Sequence, residues 1–182
     1  FGFAQTLQSD NFNTLTLGNV GTDITGATAG QAGWFTASSN GAVPTTSTNT
    51  NNTNYQIIAG GNNSTYGLQI TSPNGDKGSR VAFKAGLDAS WTTRTAGNNI
   101  IELEYDFFTG ATTTSKNTFR NYIFSADNTI AMAGFLFIPE TMEVRGWAQY
   151  DNAGTIGYYT FGLGPDAATP SIFLSPNTWY RF

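Results

Sequence analysis

Three carboxylates stand two residues apart at Glu102, Glu104 and Asp106. On an extended strand, residues with that spacing project from one face, with Cα atoms roughly 7 Å apart. Two carboxyl groups on one surface supply what glycoside hydrolysis requires, a general acid together with a nucleophile or base. Three acids this close also repel one another, so the face either opens to solvent or meets a positive group. A solvated polar face is the simpler reading; in the other case Arg120, Arg145 or a cation such as calcium would lie across from them. No Asp-rich loop with regular ligand spacing accompanies the triplet, so no metal site is assigned and no cofactor is expected.

The run Met142 to Tyr150 carries a different chemistry. Met142, Val144, Ala148 and Tyr150 alternate with Glu143, Arg145, Trp147 and Gln149, which places a tryptophan among charged and amide side chains. An indole so placed offers an apolar plate for a sugar ring, beside hydrogen-bonding groups for its hydroxyls. Trp147, Arg145, Gln149, Glu143 and Arg120 form the expected ligand-binding set. Gly146 leaves a second arrangement open, because a bulge there would reverse the register and return Trp147 to the core.

Other chemistries are excluded by composition. The chain has no histidine and no cysteine, which removes imidazole-based triads, the commonest zinc and copper sites, thiol nucleophiles and disulfides. Lack of cysteine is compatible with bacterial export. Net charge is −4 and the 8 basic residues are scattered, so neither nucleic acid nor an anionic membrane surface is an expected partner. The longest apolar stretch, Ala131 to Ile138, falls far short of the roughly 20 residues of a membrane-spanning helix.

The elements that must position these residues are strands. Hydrophobic residues make up 39% of the chain and aromatics 14%, enough for one core, and 182 residues suggest a single domain over 5–182. Short β-branched and aromatic runs alternate with turn chemistry. Strands are expected at Phe12 to Leu17, Tyr55 to Ile58, Tyr66 to Ile70, Arg80 to Lys84, Ile100 to Phe108, Phe119 to Ser125, Ile130 to Ile138, Met142 to Tyr150, Thr155 to Phe161, Ser171 to Leu174 and from Trp179 onward. In the run from Ile100, Ile101, Leu103, Tyr105 and Phe107 should face a core. Turn signals include Pro73-Asn74-Gly75-Asp76 and Asp151-Asn152-Ala153-Gly154. No amphipathic helix stands out, and Ser38 to Asn54 reads as a long polar loop. The pattern predicts an all-β, two-sheet antiparallel sandwich of jelly-roll type, with a barrel or a parallel β-helix as rivals. No fixed-period repeat supports the β-helix.

Four short motifs carry a family resemblance: Asp10-Asn11-Phe12, Gly30-Gln31-Ala32-Gly33-Trp34, Ile101 to Phe107, and Pro176-Asn177-Thr178-Trp179-Tyr180-Arg181. Together they resemble the concanavalin A-like lectin and glucanase superfamily, and more narrowly the laminin G-like modules of secreted Bacteroidetes proteins. The resemblance covers Asp10 to Phe182. It implies a curved sandwich that carries ligands on its concave face or rim loops, in surface adhesins, polysaccharide-binding modules or glycosidases. It also implies that Trp34 and Trp179 are core residues. Trp91, in the loop-like Asp88 to Arg94 stretch, is expected at a rim, and Tyr158-Tyr159 beside Phe161 half in the core. Laminarinase-type members use Glu-x-Asp-x-x-Glu. Here Glu104 stands where the Asp belongs and Phe107 where the last Glu belongs, which counts against catalysis.

The ends add a further expectation. Gly2-Phe3-Ala4 before Gln5 resembles a small-x-small cleavage site, so residues 1–4 read as a signal-peptide remnant, the alternative being ordinary strand residues. Trp179 to Phe182 reads as a strand cut before its partner, with further domains beyond. The expected function is therefore a secreted or cell-surface module that binds polysaccharide or a surface glycan without catalysis of its own. A jelly-roll glycoside hydrolase or lyase using Glu102, Glu104 and Asp106, and a structural spacer or virion fibre or decoration domain, are the alternatives.

Overall fold

A computed structural model of the chain describes residues 5–39, 51–72, 78–127 and 130–182. The signal-like segment 1–4, the turn Pro73 to Asp76 and most of the polar segment after Ser39 lie outside the described residues. The strands are β1 (Gly18–Asn19), β2 (Trp34–Ser39), β3 (Tyr55–Ala59), β4 (Tyr66–Ile70), β5 (Ser79–Lys84), β6 (Asp106–Phe108), β7 (Phe119–Phe124), β8 (Ala131–Ile138), β9 (Glu143–Asn152), β10 (Thr155–Gly162), β11 (Ile172–Phe173) and β12 (Trp179–Arg181). Every paired strand is antiparallel, so the all-β class expected from the alternation holds. The described chain forms two compact units, Phe1–Ile100 and Ile101–Phe182, each with its own core.

In the first unit the sheet β1-β3-β4 and the antiparallel pair β2-β5 share one apolar cluster. Alternation along β3 buries Tyr55 and Ile57 completely, beside Val20. Trp34 from β2, Leu68 and Ile70 from β4, and Ala82 from β5 pack against them. Burying a side chain of the Ile57 or Val20 kind contributes roughly 1.5–3 kcal/mol, which is why these positions must be apolar.

The expected strand at Phe12 to Leu17 is instead a turn. Asp10 accepts the Phe12 N–H at 2.8 Å and Asn11 accepts the Asn13 N–H at 3.1 Å. These short side-chain acceptors satisfy the backbone locally and compete with a ladder. Phe12 takes a left-handed φ of 62° as a result. The stretch Asp88 to Arg94 is not a loop, because α1 (Leu87–Thr92) forms there, entered through Gly86 at φ 92°. Arg94 lies over the Trp91 ring, 4.0 Å from its centroid.

In the second unit β7, β8, β9 and β10 follow one another as a meander of hairpins. β11 joins the same sheet by pairing Ile172 with Val144 and Phe173 with Glu143, beyond the point where β10 ends at Gly162 opposite Arg145. A second sheet, β6-β12, faces the first through Phe107, Tyr180, Phe135, Phe137, Met142 and Val144. Phe182 stacks on Phe135 at 4.6 Å and 2°.

Two expectations fail in this unit. The strand read from Ile100 covers only Asp106–Phe108, with Tyr105 and Phe182 adding one reciprocal backbone pair at 2.9 and 3.0 Å. Tyr105 and Phe107 face the core as the alternation requires, but Leu103 is exposed and Ile100, just before the run, is 91% exposed, so the pattern reaches the core only in its second half. Trp179 is not core either: it is 36% exposed and rests on Phe108 at 5.4 Å, while its neighbours Tyr180 and Phe182 point inward.

Candidate functional site

The five expected ligand-binding residues fall on one face of the β7–β10 sheet. Register fixes this. Val144 and Gly146 on β9 oppose Phe137 and Phe135 on β8, which face the core. Glu143, Arg145, Trp147 and Gln149 therefore occupy the opposite face. Arg120 opposite Leu136, and Tyr122 opposite Gly134, join it from β7. Tyr158 opposite Gln149, and Thr160 opposite Trp147, join it from β10.

The bulge considered at Gly146 does not form, since that residue is paired in register with both Phe135 and Phe161. Glycine has a different purpose there. The Phe161 ring lies across it, and a Cβ at this position would sit 2.1 Å from Phe161 Cε2. Trp147 consequently stays out of the core and enters an aromatic row. Tyr158 stacks on it at 5.2 Å and 15°, Tyr122 tilts against it at 4.7 Å, and Phe124 stands edge-on to Tyr122 at 4.8 Å. Gly134 makes this possible, because the side chain missing between Tyr122 and Trp147 is the one that would separate them. Tyr158, at 46%, is the more open ring and Trp147 is half-buried. Neither Tyr122 nor Tyr158 was identified as a site residue from sequence, although Tyr158 repeats the aromatic-on-polar-face signal that marked Trp147.

Charge is distributed unevenly over this face. Arg145 Nη2 lies 2.8 Å from Glu143 Oε2, and Ser171 Oγ donates to Glu143 Oε1 at 2.8 Å. The Arg145 hydrogen bond outweighs burial and, with that from Ser171, holds the Glu143 carboxyl below its ordinary value, while Glu143 raises Arg145 in turn. Glu143 is buried and both its oxygens are engaged, so it positions Arg145 rather than facing a ligand. An open cleft of about 200 Å³ adjoins the pair, lined also by Thr160, Phe161, Gly162 and Pro170. Arg120 lies over the Trp147 ring, 5.2 Å from its centroid. The Gln149 Oε1 atom is enclosed and accepts no hydrogen bond among the described residues.

The acidic triplet is arranged otherwise. Asp106 alone lies in a strand, and Glu102 and Glu104 are exposed outside any ladder. A cation does stand across from the acids, but it is Arg181, not Arg120 or Arg145. Arg181 opposes Asp106 in register and contacts both Asp106 and Glu104. Hydrogen bonding to Asp106 raises Arg181 above its ordinary value. Among the described residues no group of three His, Cys, Asp or Glu side chains is placed to hold a metal ion.

A second polar cluster lies in the first unit, beside a cleft of about 390 Å³ lined by Ser9, Asp10, Asn11, Thr14, Ala32 and Lys84. Asp10 accepts from Trp34 Nε1 and from Lys84 Nζ, each at 2.8 Å. Burial pushes the Asp10 carboxyl up, but the hydrogen bonds from Lys84, Trp34 and Phe12 prevail and hold it below its ordinary value. Gln31 donates to the Thr16 and Asn19 carbonyls and accepts the Thr16 N–H. At Gly30 a Cβ would lie 2.2 Å from the Val20 carbonyl oxygen. The Asp-Asn-Phe and Gly-Gln-x-Gly-Trp motifs thus form one structural latch with its hydrogen-bonding capacity used internally. Comparison with family models, with curated proteins and with solved structures finds no match to this chain.

Proposed function

We propose that this chain is an exported carbohydrate-binding or adhesion module without catalytic activity of its own, and that it contacts glycan through the Arg120, Arg145, Trp147, Gln149 and Tyr158 face. The observation that carries the reading is the aromatic row at Trp147 on the polar face of a sheet, flanked by two arginines. Aromatic faces take the apolar C–H side of a pyranose, and guanidinium groups take its oxygens. Kinship to concanavalin A-like jelly rolls belongs to this reading and rests on the sequence motifs.

Hydrolysis has weaker support. Asp106 is clamped by Arg181, and Glu102 and Glu104 do not share a strand face with it. Affinity electrophoresis against a panel of polysaccharides, run with a reducing-sugar assay, tests the proposal. Retention without product supports it. Retention by no polysaccharide, or release of soluble sugar, overturns it, the first outcome favouring a structural spacer.

A further inference from the structure

The two arginines of the face differ in what they have left to offer. Arg145 is matched in charge by Glu143. Arg120 is exposed, forms no salt bridge among the described residues and lies over the Trp147 ring. A contact with an aromatic ring neutralises none of the guanidinium's charge and puts no carboxylate on its N–H groups. Those groups form a fork that fits the two oxygens of a planar carboxylate. The same chain shows the fit elsewhere, where Arg181 contacts both oxygens of Asp106 at 2.8 and 3.1 Å.

Among the described residues no acid pairs with Arg120. Glu143 is buried and occupied. Asp151, the next carboxylate on this face of β9, lies four residues from Trp147, roughly 13 Å along the strand. It accepts the Gly154 N–H in the hairpin turn. An uncompensated cation beside an aromatic row, in a chain of net charge −4, is a local device rather than a general attraction to anions.

We infer that the sugar taken by this face is a uronate, its ring on the Trp147 and Tyr158 row and its carboxylate on the Arg120 guanidinium. The inference rests on the carbohydrate reading above and narrows it to acidic polysaccharide.

Isothermal titration with polygalacturonate, alginate and hyaluronate tests it, each polymer paired with its carboxyl-reduced counterpart, with dextran sulfate as a sulfated control. At least one uronate polymer should bind about tenfold or more tightly than its reduced form, a single good charge-assisted contact. In R120Q that preference should vanish with the melting temperature unchanged, and R120K should restore only part of it. Equal binding of native and reduced polymers would overturn the uronate assignment while leaving carbohydrate binding intact. Equal binding of dextran sulfate would replace the carboxylate with any polyanion, and an unaltered preference in R120Q would remove Arg120 from the site. Failure of every native and reduced polymer to bind would sink this inference together with the reading beneath it.

Discussion

Arg181 grips Asp106 from directly across the β6-β12 ladder, its Nε and Nη2 atoms 2.8 and 3.1 Å from the two carboxylate oxygens. Its Nη1 lies 3.4 Å from Glu104. A carboxylate bound at both oxygens is ill-suited to exchange protons with a substrate. Glu102→Gln, Glu104→Gln and Asp106→Asn should each leave polysaccharide retention unaltered. Asp106→Asn should lower the melting temperature more in low salt than in high, since the pair is screened. Loss of retention in any of the three, measured by affinity electrophoresis, would return the triplet to the binding or catalytic machinery.

Tyr158 and Trp147 should separate function from stability. Tyr158→Ala removes the more open ring, so retention should fall about tenfold or more, as expected for loss of a stacking contact and its packing. The melting temperature should move little. Trp147→Ala should lose retention and also stability, because its ring lies between Tyr122 and Tyr158. Equal melting losses in both variants, without loss of retention, would make the row a purely structural feature.

Gly134 is a position where one added methyl should disturb the aromatic row. A Cβ there would lie 2.0 Å from the Asn121 carbonyl oxygen and 2.5 Å from Tyr122 Cβ. Gly134→Ala should cost about 1–3 kcal/mol, the usual range for overpacking. It should also part Tyr122 from Trp147, seen as a change in near-ultraviolet circular dichroism. An unaltered spectrum and chemical denaturation curve would contradict the geometry.

Tyr105 stacks on Phe135 while its hydroxyl is enclosed without a hydrogen-bond partner among the described residues. Burial pushes that phenol well above its ordinary value. Tyr105→Phe keeps the ring and removes the unsatisfied group, so it should stabilise by about 1 kcal/mol in urea denaturation. Because the folded pKa is raised, the neutral hydroxyl favours folding below about pH 10 and that contribution is lost as pH rises through the folded value. The variant should therefore resist alkaline unfolding better than the parent. A destabilised variant would show that the hydroxyl has a partner after all.

Acid should weaken the first unit through Asp10 and Asp23. Asp23 accepts the Thr28, Thr25 and Ala27 N–H groups and the Thr25 hydroxyl, and the Thr28 bond leads in holding its carboxyl well below the ordinary range. Folded values lie below those of the unfolded chain for both groups. Their contribution is full above the unfolded value of about 3.9 and is lost as pH falls through the folded values. The melting temperature should be flat between neutral pH and about 5, then drop below about 4, less so in Asp10→Asn. A melting temperature that rises on acidification would contradict this.

Alternation made most of the ladders legible, because β3, β4, β5 and β7 through β10 each carry the apolar face their partners require. It misled at Ile101 to Glu104, where the pattern is as regular as in β9 but the opposing strand spans only Trp179–Arg181, with Phe182 pairing Tyr105. A strand needs a partner of equal length, and periodicity in one segment says nothing about the other. Trp34–Ser39 escaped notice for the opposite reason, since its small polar tail resembles the segment that follows it. The sequence reads as one domain over 5–182; the buried residues form two clusters, one in each compact unit, and no Pro- or Gly-rich linker near Ile100 marks where one unit gives way to the other. Trp147 was legible as an indole out of place. Its neighbours were not, because the contact with Tyr122, two strands away on β7, depends on the missing side chain at Gly134 between them.

β9 is lined along one edge by β10 and then by β11, with Leu163 to Ser171 leaving that edge and returning to it through the Gly164 to Pro170 backbone bond of 2.9 Å. Departure and re-entry are both fixed by pairing to the same strand, so the length of this excursion is uncoupled from the register of the sheet. Doubling it would cost only about 0.6 kcal/mol in closure entropy. The excursion also forms one wall of the cleft at Arg145, through Pro170 and Ser171. An insertion here would therefore reshape the wall of that cleft while leaving the pairing of the sheet as it is.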